Sequence, residues 1–236
     1  GIRDSVASRG LGDVYKRQIL NFCTNDLGGF YLDVLKDRLY TCAQDSQARI
    51  SSQIALNVIL ESLLRWVSPI LCFTAEEAYK QFKPEDKSVH LLNWYKDWPE
   101  PQEGSILKED WDLVFEIRSE VNKCIEKARN SNLIGSSLDA EVQIHCTEQI
   151  QKVLSKFEDE LRFIFITSDI NLSKDLSKGE STDIEGLKIS VVKSENKKCE
   201  RCWHRRPEVG TIAKHGTLCS RCVENIEGAG EIRIFA

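Results

Sequence analysis

CERCWHRRPEVGTIAKHGTLCSRC, residues 199–222, combines residue types and spacings that fit one chemistry. Cys199 and Cys202 form one C-x2-C pair, Cys219 and Cys222 form a second, and sixteen residues separate the pairs. That separation lies within the usual range for a four-thiolate zinc site. Each pair sets two sulfurs on one tight knuckle, and the intervening segment is long enough for a short hairpin that brings the knuckles face to face. Four soft sulfur ligands suit one tetrahedral zinc ion. With every position filled by protein no position remains for water, so the expected role is structural. A zinc deaminase would need an H-x-E element, which the sequence lacks. Two disulfides or two separate redox pairs are the alternatives, and the doubled spacing favours metal. The other five cysteines (Cys23, Cys42, Cys72, Cys124 and Cys146) are scattered through apolar segments, as expected of small core residues in a reducing compartment.

Around the cysteines the composition turns basic. Residues 197–236 carry eight Lys and Arg against five Glu, a formal +3, which leaves −8 of the overall −5 to residues 1–196. Four thiolates with one zinc ion would add −2. Arg201, Trp203, His204, Arg205 and Arg206 sit beside the first knuckle, and Lys214, His215 and Arg221 are available from the other side. Guanidinium groups grip phosphates, and an exposed indole stacks on an unpaired base, so this set suits RNA. The competing expectation is that Trp203 packs over the metal site and the arginines are solubility groups.

Upstream, the 236 residues have room for two or three domains. No apolar run reaches membrane-spanning length and no signal peptide is visible, so a soluble, cytoplasmic protein without membrane contact is expected. The chain opens with Gly and contains no Met, as expected of a piece of a longer product. Residues 1–17 show no sustained apolar period and are expected to be an unstructured or foreign leader. From Ile19, a helical stripe of Phe22, Cys23, Leu27, Phe30, Tyr31, Val34 and Leu35 begins, with Gly28 and Gly29 marking close packing or a kink. A second helix is expected from Asp45 to Val67. A third opens with the capping-box pattern Thr74-Ala75-Glu76-Glu77 and ends before Pro84. Residues 84–105 form an irregular connector whose Trp94 and Trp98 are expected to fold back onto a helix. A long helix spans Glu109 to Asn130, with Leu113, Ile117, Val121, Cys124, Ile125 and Ala128 inward. Beyond it the period becomes two. Ala140, Val142, Ile144 and Cys146 alternate with Glu141, Gln143 and His145, which places His145 on a polar strand face. A helix through Ile150 to Phe157, a strand-like Leu161–Thr167, a polar stretch over 173–182 and the alternating Leu187, Ile189 and Val191 complete a small α/β unit. The fold class is therefore mainly α: a helical bundle, a small α/β junction and a four-Cys zinc ribbon. The expected boundaries are 18–105, 106–193 and 194–236.

No Gly-rich phosphate loop, Ser/His/Asp set or convincing nucleophile is present, so no catalytic residue is expected. The tail KKCERCWHRRPEVGTIAKHGTLCSRCVENIEGAGEIRIFA resembles the C-terminal zinc module of bacterial isoleucyl-tRNA synthetases. NFCTNDLGGFYLDVLKDRLYT and DSQARISSQIALNVILESLLRWVSPILCFTAEEAY are similar to the helical anticodon-binding domain of the same family, and EVNKCIEKARNSNLIGSSLDAEV and LRFIFITSDI to its junction region. The likeness covers Gln18 to Ala236. HIGH-like and KMSKS-like motifs and the editing domain are absent, and the leader does not match.

The resemblance implies a tRNA-binding region that holds the anticodon arm of isoleucine-accepting tRNA, attached to an N-terminal catalytic domain. That parent, a monomer, would activate isoleucine with ATP and Mg2+, whereas this stretch alone would form no adenylate. Arg201, Trp203, His204, Arg205, Arg206 and Arg221 are the expected RNA contacts, with Lys36 and Arg38 of KDRLY as weaker ones. The rival readings are the zinc finger of a DNA-repair glycosylase, which would require a catalytic N-terminal Pro where this chain has Gly1, and a structural zinc ribbon that mediates protein contacts.

Overall fold

The computed structural model describes residues 2–100 and 106–235, with side chains from residue 12 onward. The chain divides into two compact units, Gly1–Leu35 with Ile50–Pro101 and Lys36–Arg49 with Gln102–Ala236. Among the described residues no helix is long and apolar enough to cross a membrane.

In the first unit, α1 covers Ile2–Asn21. Residues 2–17, expected to be an unstructured or foreign leader, are thus helical, and the Tyr15 hydroxyl donates to the Trp66 carbonyl at 2.7 Å. The expected kink is a π-helical stretch, Phe22–Tyr31, in which the Leu32 N–H reaches five residues back to the Leu27 carbonyl. This wider turn brings backbone unusually close. A Cβ on Gly28 would lie 3.0 Å from the Cys23 carbonyl oxygen, and one on Gly29 would lie 3.2 Å from that of Thr24. Both glycines are therefore explained by close backbone approach.

Helix α2 (Leu32–Thr41) and α3 (Gln47–Val67) follow, then α4 (Cys72–Phe82). α4 starts two residues before the expected cap, with Leu71 at its N-cap and no side-chain cap. Thr74 consequently lies inside the helix. Glu76 instead accepts from the Ser88 hydroxyl at 2.8 Å and the Val89 N–H at 2.9 Å, tying the connector down. Val89 is thereby buried with Leu64, Ala75 and Tyr79, whose ring is wholly inaccessible. Each such burial contributes about 1.5–3 kcal/mol. Trp98 folds back as expected, stacked on Trp66 with ring centres 6.0 Å apart and planes at 23°.

In the second unit, α5 (Lys108–Asn130) packs against β4 (Leu187–Lys193) of a four-stranded sheet. The sheet also contains β1 (Ala140–Cys146), β2 (Asp169–Ser173) and β3 (Glu180–Ser181), in the order β2-β1-β4-β3. β1 pairs parallel with β2, Val142 opposite Ile170, and antiparallel with β4, Ile144 opposite Ile189. Ala140, Val142, Ile144, Cys146, Leu187 and Ile189 are all buried, as their alternation predicts. Leu113 is only half-buried, because the inward stripe of α5 runs through Val114 instead.

Two expectations are corrected here. Leu161–Thr167 is not a strand: α7 occupies Leu161–Ile164, and Leu161, Phe163, Ile164 and Phe165 are all buried. A short apolar run has no period that separates a buried helical turn from a buried strand. His145 is not on a solvent face but 2% exposed, because the turn at Gly179 (φ +86°) crosses it. A Cβ at Gly179 would come within 3.0 Å of the His145 ring.

Candidate metal centre and nucleic-acid interface

The local backbone explains why the four cysteines converge. In the first knuckle the Cys199 N–H donates to the His204 carbonyl and the Trp203 N–H to the Cys199 carbonyl, both at 2.9 Å, which folds Cys202 back beside Cys199. The second pair straddles the start of α8 (Ser220–Glu227): Cys219 is its N-cap, and Cys222 lies in its first turn. The two knuckles are joined by the Cys219 N–H, 3.3 Å from the Cys199 sulfur. All four Sγ atoms lie within 4.8 Å of one another, and all four residues are buried. Sulfur–sulfur hydrogen bonding, first from Cys199 and then from Cys219 and Cys222, pushes the Cys202 thiol far below its ordinary pKa. Cys219 and Cys222 are pushed correspondingly up. Four buried sulfurs so close together form a set that a soft cation could complete by displacing their protons.

The basic residues have divided fates. Trp203 is 60% exposed in the left-handed backbone region (φ +67°), with the Lys198 ammonium 5.5 Å from its ring centre. A non-glycine residue in that conformation costs about 1–3 kcal/mol, and here it directs the indole outward from the knuckle. Arg201 donates to the carbonyls of Thr41 at 2.6 Å and Tyr40 at 3.3 Å, at the C-terminus of α2 where cations are favoured. Arg205 pairs with Asp139 at 2.7 Å, and Arg206 with Asp169 at 3.2 Å and Glu208 at 3.4 Å. Lys36 is exposed.

Three of the expected RNA contacts lie inside the protein. His204 is 5% exposed, edge-on to Phe163 with ring centres 5.5 Å apart, and its Nδ1 is 3.2 Å from the Cys202 carbonyl. Arg221 grips Asp37 with two nitrogens at 2.6 and 2.9 Å and also reaches Glu231 at 3.1 Å. Arg38 is buried, 3.9 Å from Glu160. Their geometry is that of fasteners, because a guanidinium or imidazole already engaged and removed from solvent has no free edge for a phosphate.

Composition gave no hint of two central members of this set. Asp37 meets Arg233 at 2.8 Å as well as Arg221, and Arg233 lies flat over the Phe163 ring, 3.4 Å from its centre. Burial raises the Asp37 pKa, but Arg221 and then Arg233 outweigh it and hold the carboxyl well below the usual range. A signal for Asp37 did exist. It stands three residues after Val34, on the continuation of the α2 apolar stripe that leads to Thr41 and Cys42, so its carboxyl faces inward and demands a partner.

Residues 11–144 match the family described as the anticodon-binding domain of tRNA ligase, and residues 196–225 match the zinc finger found in FPG and IleRS. The chain is 46% identical over 220 residues to the isoleucine–tRNA ligase of Acinetobacter baylyi, covering 92% of this chain and 23% of that protein. It is 49% identical over 224 residues to that of Ruthia magnifica, covering 92% and 24%, and 44% identical over 240 residues to that of Stutzerimonas stutzeri, covering 100% and 25%. It therefore spans about a quarter of the length of these relatives, corresponding to their C-terminal part. The long helical match, joined to a buried four-cysteine cluster inside the finger match, decides the family: the chain belongs to the anticodon-binding domain family of tRNA ligases.

Proposed function

We propose that this chain is the part of an isoleucine–tRNA ligase that holds the anticodon arm of isoleucine-accepting tRNA, with a structural zinc ion in the cysteine cluster. Catalysis belongs to the remainder of such a protein, a cytoplasmic monomer in this reading, where ATP with Mg2+ activates isoleucine before transfer to the tRNA. No residue of this chain is assigned a catalytic role. Residues 18–105 form the helical anticodon-binding part, 106–193 the junction and 194–236 the zinc module. The sulfur geometry suits the metal: zinc–sulfur bonds of about 2.3 Å give tetrahedron edges of roughly 3.8 Å, and the Cys202 and Cys219 sulfurs are 3.7 Å apart.

The observation that carries the RNA reading is Trp203, an exposed aromatic held in an unfavourable backbone conformation beside Lys198. A stacking platform with a neighbouring ammonium suits an unpaired base and its phosphate. Arg201 and Lys36 supply further positive charge, and Arg205 and Arg206 reach RNA only by exchanging carboxylate partners. His204, Arg221 and Arg38 support this surface from within. Titrating the chain with isoleucine-accepting tRNA in a gel-shift assay tests it. Binding should weaken steeply with salt, and Trp203→Ala should lose about 1–3 kcal/mol while keeping its zinc. Absence of tRNA binding at low salt would refute the proposal.

A second reading, a zinc ribbon that serves only protein contacts, is favoured by one fact. Arg205, Arg206 and Arg221 all spend their charge on carboxylates of this same chain. It predicts that charge reversal at Arg205 and Arg206 leaves tRNA affinity unchanged.

A further inference from the structure

Around the turn between α3 and α4 the first unit keeps large apolar side chains in solvent. Phe73 is 92% exposed, Leu91 73% and Trp94 56%, and Ile70 and Leu71 are exposed as well. Two segments carry these residues, 68–75 (SPILCFTA) and 88–95 (SVHLLNWY), and neither holds an Asp, Glu, Lys or Arg in a chain that is 29% charged. The segments meet where the His90 Nε2 lies 3.2 Å from the Cys72 carbonyl oxygen. An open cavity of about 310 Å³ lies between them, lined by Ser68 and Pro69 of the first, by His90, Leu92 and Trp94 of the second, and by Arg65. Apolar surface gathered in this way marks a contact site. Its chemistry selects the kind of partner. Nucleic acid needs cations for its phosphates, and the guanidinium at the cavity, Arg65, is already paired with Glu61. Uncharged side chains around a cavity with room for one large anchor residue fit another protein surface.

The course of the chain indicates which protein surface. α3 ends at Val67, and the Trp66 carbonyl accepts from the Tyr15 hydroxyl at 2.7 Å, while the Phe22 ring stands edge-on to that of Trp66. α3 thus returns beside the helix that opens the chain, and polypeptide N-terminal to Tyr15 leaves this unit at the end where residues 68–73 turn. In the relatives about three quarters of the protein precedes the matched part. We propose that the uncharged surface of Ile70, Leu71, Phe73, Leu91 and Trp94 is the seat of the protein body that precedes this region in the ligase, with an apolar side chain of that body in the cavity beside Trp94. The inference rests on the reading of this chain as the C-terminal part of such a ligase. A body attached through α1 meets the surface at an effective concentration in about the millimolar range, so a few side chains suffice where two separate chains would need a larger interface.

Cys72 stands between Leu71 and Phe73 and is exposed, so its alkylation reports whether this surface is covered. The rate with N-ethylmaleimide, read at Cys72 by peptide mass spectrometry with zinc present, is compared in the free chain and in a chimera. In the chimera the matched region of this chain replaces the C-terminal 23% of the Acinetobacter baylyi ligase. Alkylation should be at least about tenfold slower in the chimera, and Phe73→Asp should restore most of the free-chain rate. In the free chain Phe73→Asp should leave the melting temperature and tRNA affinity unchanged, because the ring meets solvent and lies outside the RNA-contacting set. Equal rates in chimera and free chain would overturn the inference, as would an insoluble chimera where the Acinetobacter baylyi ligase is soluble. Protection of Cys72 by tRNA in the free chain would assign the surface to RNA, and a free-chain dimer that Phe73→Asp dissociates would assign it to a second copy; either overturns the inference. Failure of the free chain to shift tRNA would refute the anticodon reading alone, since protection of Cys72 in the chimera is measured without RNA.

Discussion

The first unit buries Leu64, Ala75, Tyr79 and Val89 as a contiguous apolar cluster, with Val67, Ala78, Phe82 and Leu92 packed around it. The corresponding cluster in the C-terminal module is Cys199, Cys202, Val209, Cys219 and Cys222, with Leu218 packed against it. One is a hydrocarbon core and the other is a ligand set with a single valine. The apolar core needs no cofactor, because its energy comes from area removed from water. The sulfur core is too small for that, so with zinc bound as proposed above the module would rest on a metal and on charge. Its fasteners are Arg221 and Arg233 on Asp37, Arg205 on Asp139 and Arg206 on Asp169, nearly all at least half-buried. Ion pairs of that kind tolerate loss of one partner badly, whereas an apolar core loses stability in proportion to the volume deleted.

Metal removal is the largest break. Stripping zinc at neutral pH should remove a contribution on the order of 10 kcal/mol from the module. Amide exchange should then become fast at Trp203 and Val223 while α4 keeps its protection.

Next come two substitutions of similar size and different origin. Asp37→Asn removes the carboxylate that Arg221 and Arg233 share, leaving them only Glu231 and Glu160, and should cost about 3–5 kcal/mol in denaturant unfolding. Its pH signature is specific. The folded pKa of Asp37 lies below its unfolded value, so its contribution is fully present above about pH 4 and is lost as pH falls further. Wild type should therefore lose stability on acidification below pH 4 faster than Asp37→Asn does. Leu64→Ala truncates a buried side chain of the apolar cluster and should cost about 2–5 kcal/mol, with no comparable pH dependence. If the two variants gave the same pH profile, the contrast between an apolar and an ionic core would fail.

The smallest test concerns the π-helical stretch. Replacing an ordinary helical glycine by alanine gains about 1 kcal/mol. At Gly28 the new Cβ would meet the Cys23 carbonyl at 3.0 Å, so Gly28→Ala should lower the melting temperature.

Several elements are legible from residue pattern alone. The inward face of α5 apart from Leu113 and the alternation in β1 and β4 each follow from a period that burial imposes, whereas of the stripe from Ile19 to Leu35 only Val34 and Leu35 are buried and Phe22–Tyr31 is π-helical. Where the period was short or a cap pattern stood alone, reading failed. Leu161–Thr167 lacks the length to separate helix from strand, and Thr74 has no capping role because α4 already begins at Cys72. His145 obeyed the alternation but not the expected exposure, since a turn remote in sequence covers it.

The doubled C-x2-C, its basic and aromatic neighbours, and the helical segments upstream are local facts of the sequence, and from them the sequence alone determined the four-cysteine cluster and, by resemblance, the family. Which arginines remain available to a partner was decided only by tertiary structure. A guanidinium has the same charge and reach wherever it occurs, and its role depends on whether a carboxylate distant in sequence meets it. Asp37 lies 184 positions from Arg221 and 196 from Arg233, and no local pattern links them. Folding turned most of the basic residues around the knuckles into fasteners and left Trp203 facing outward.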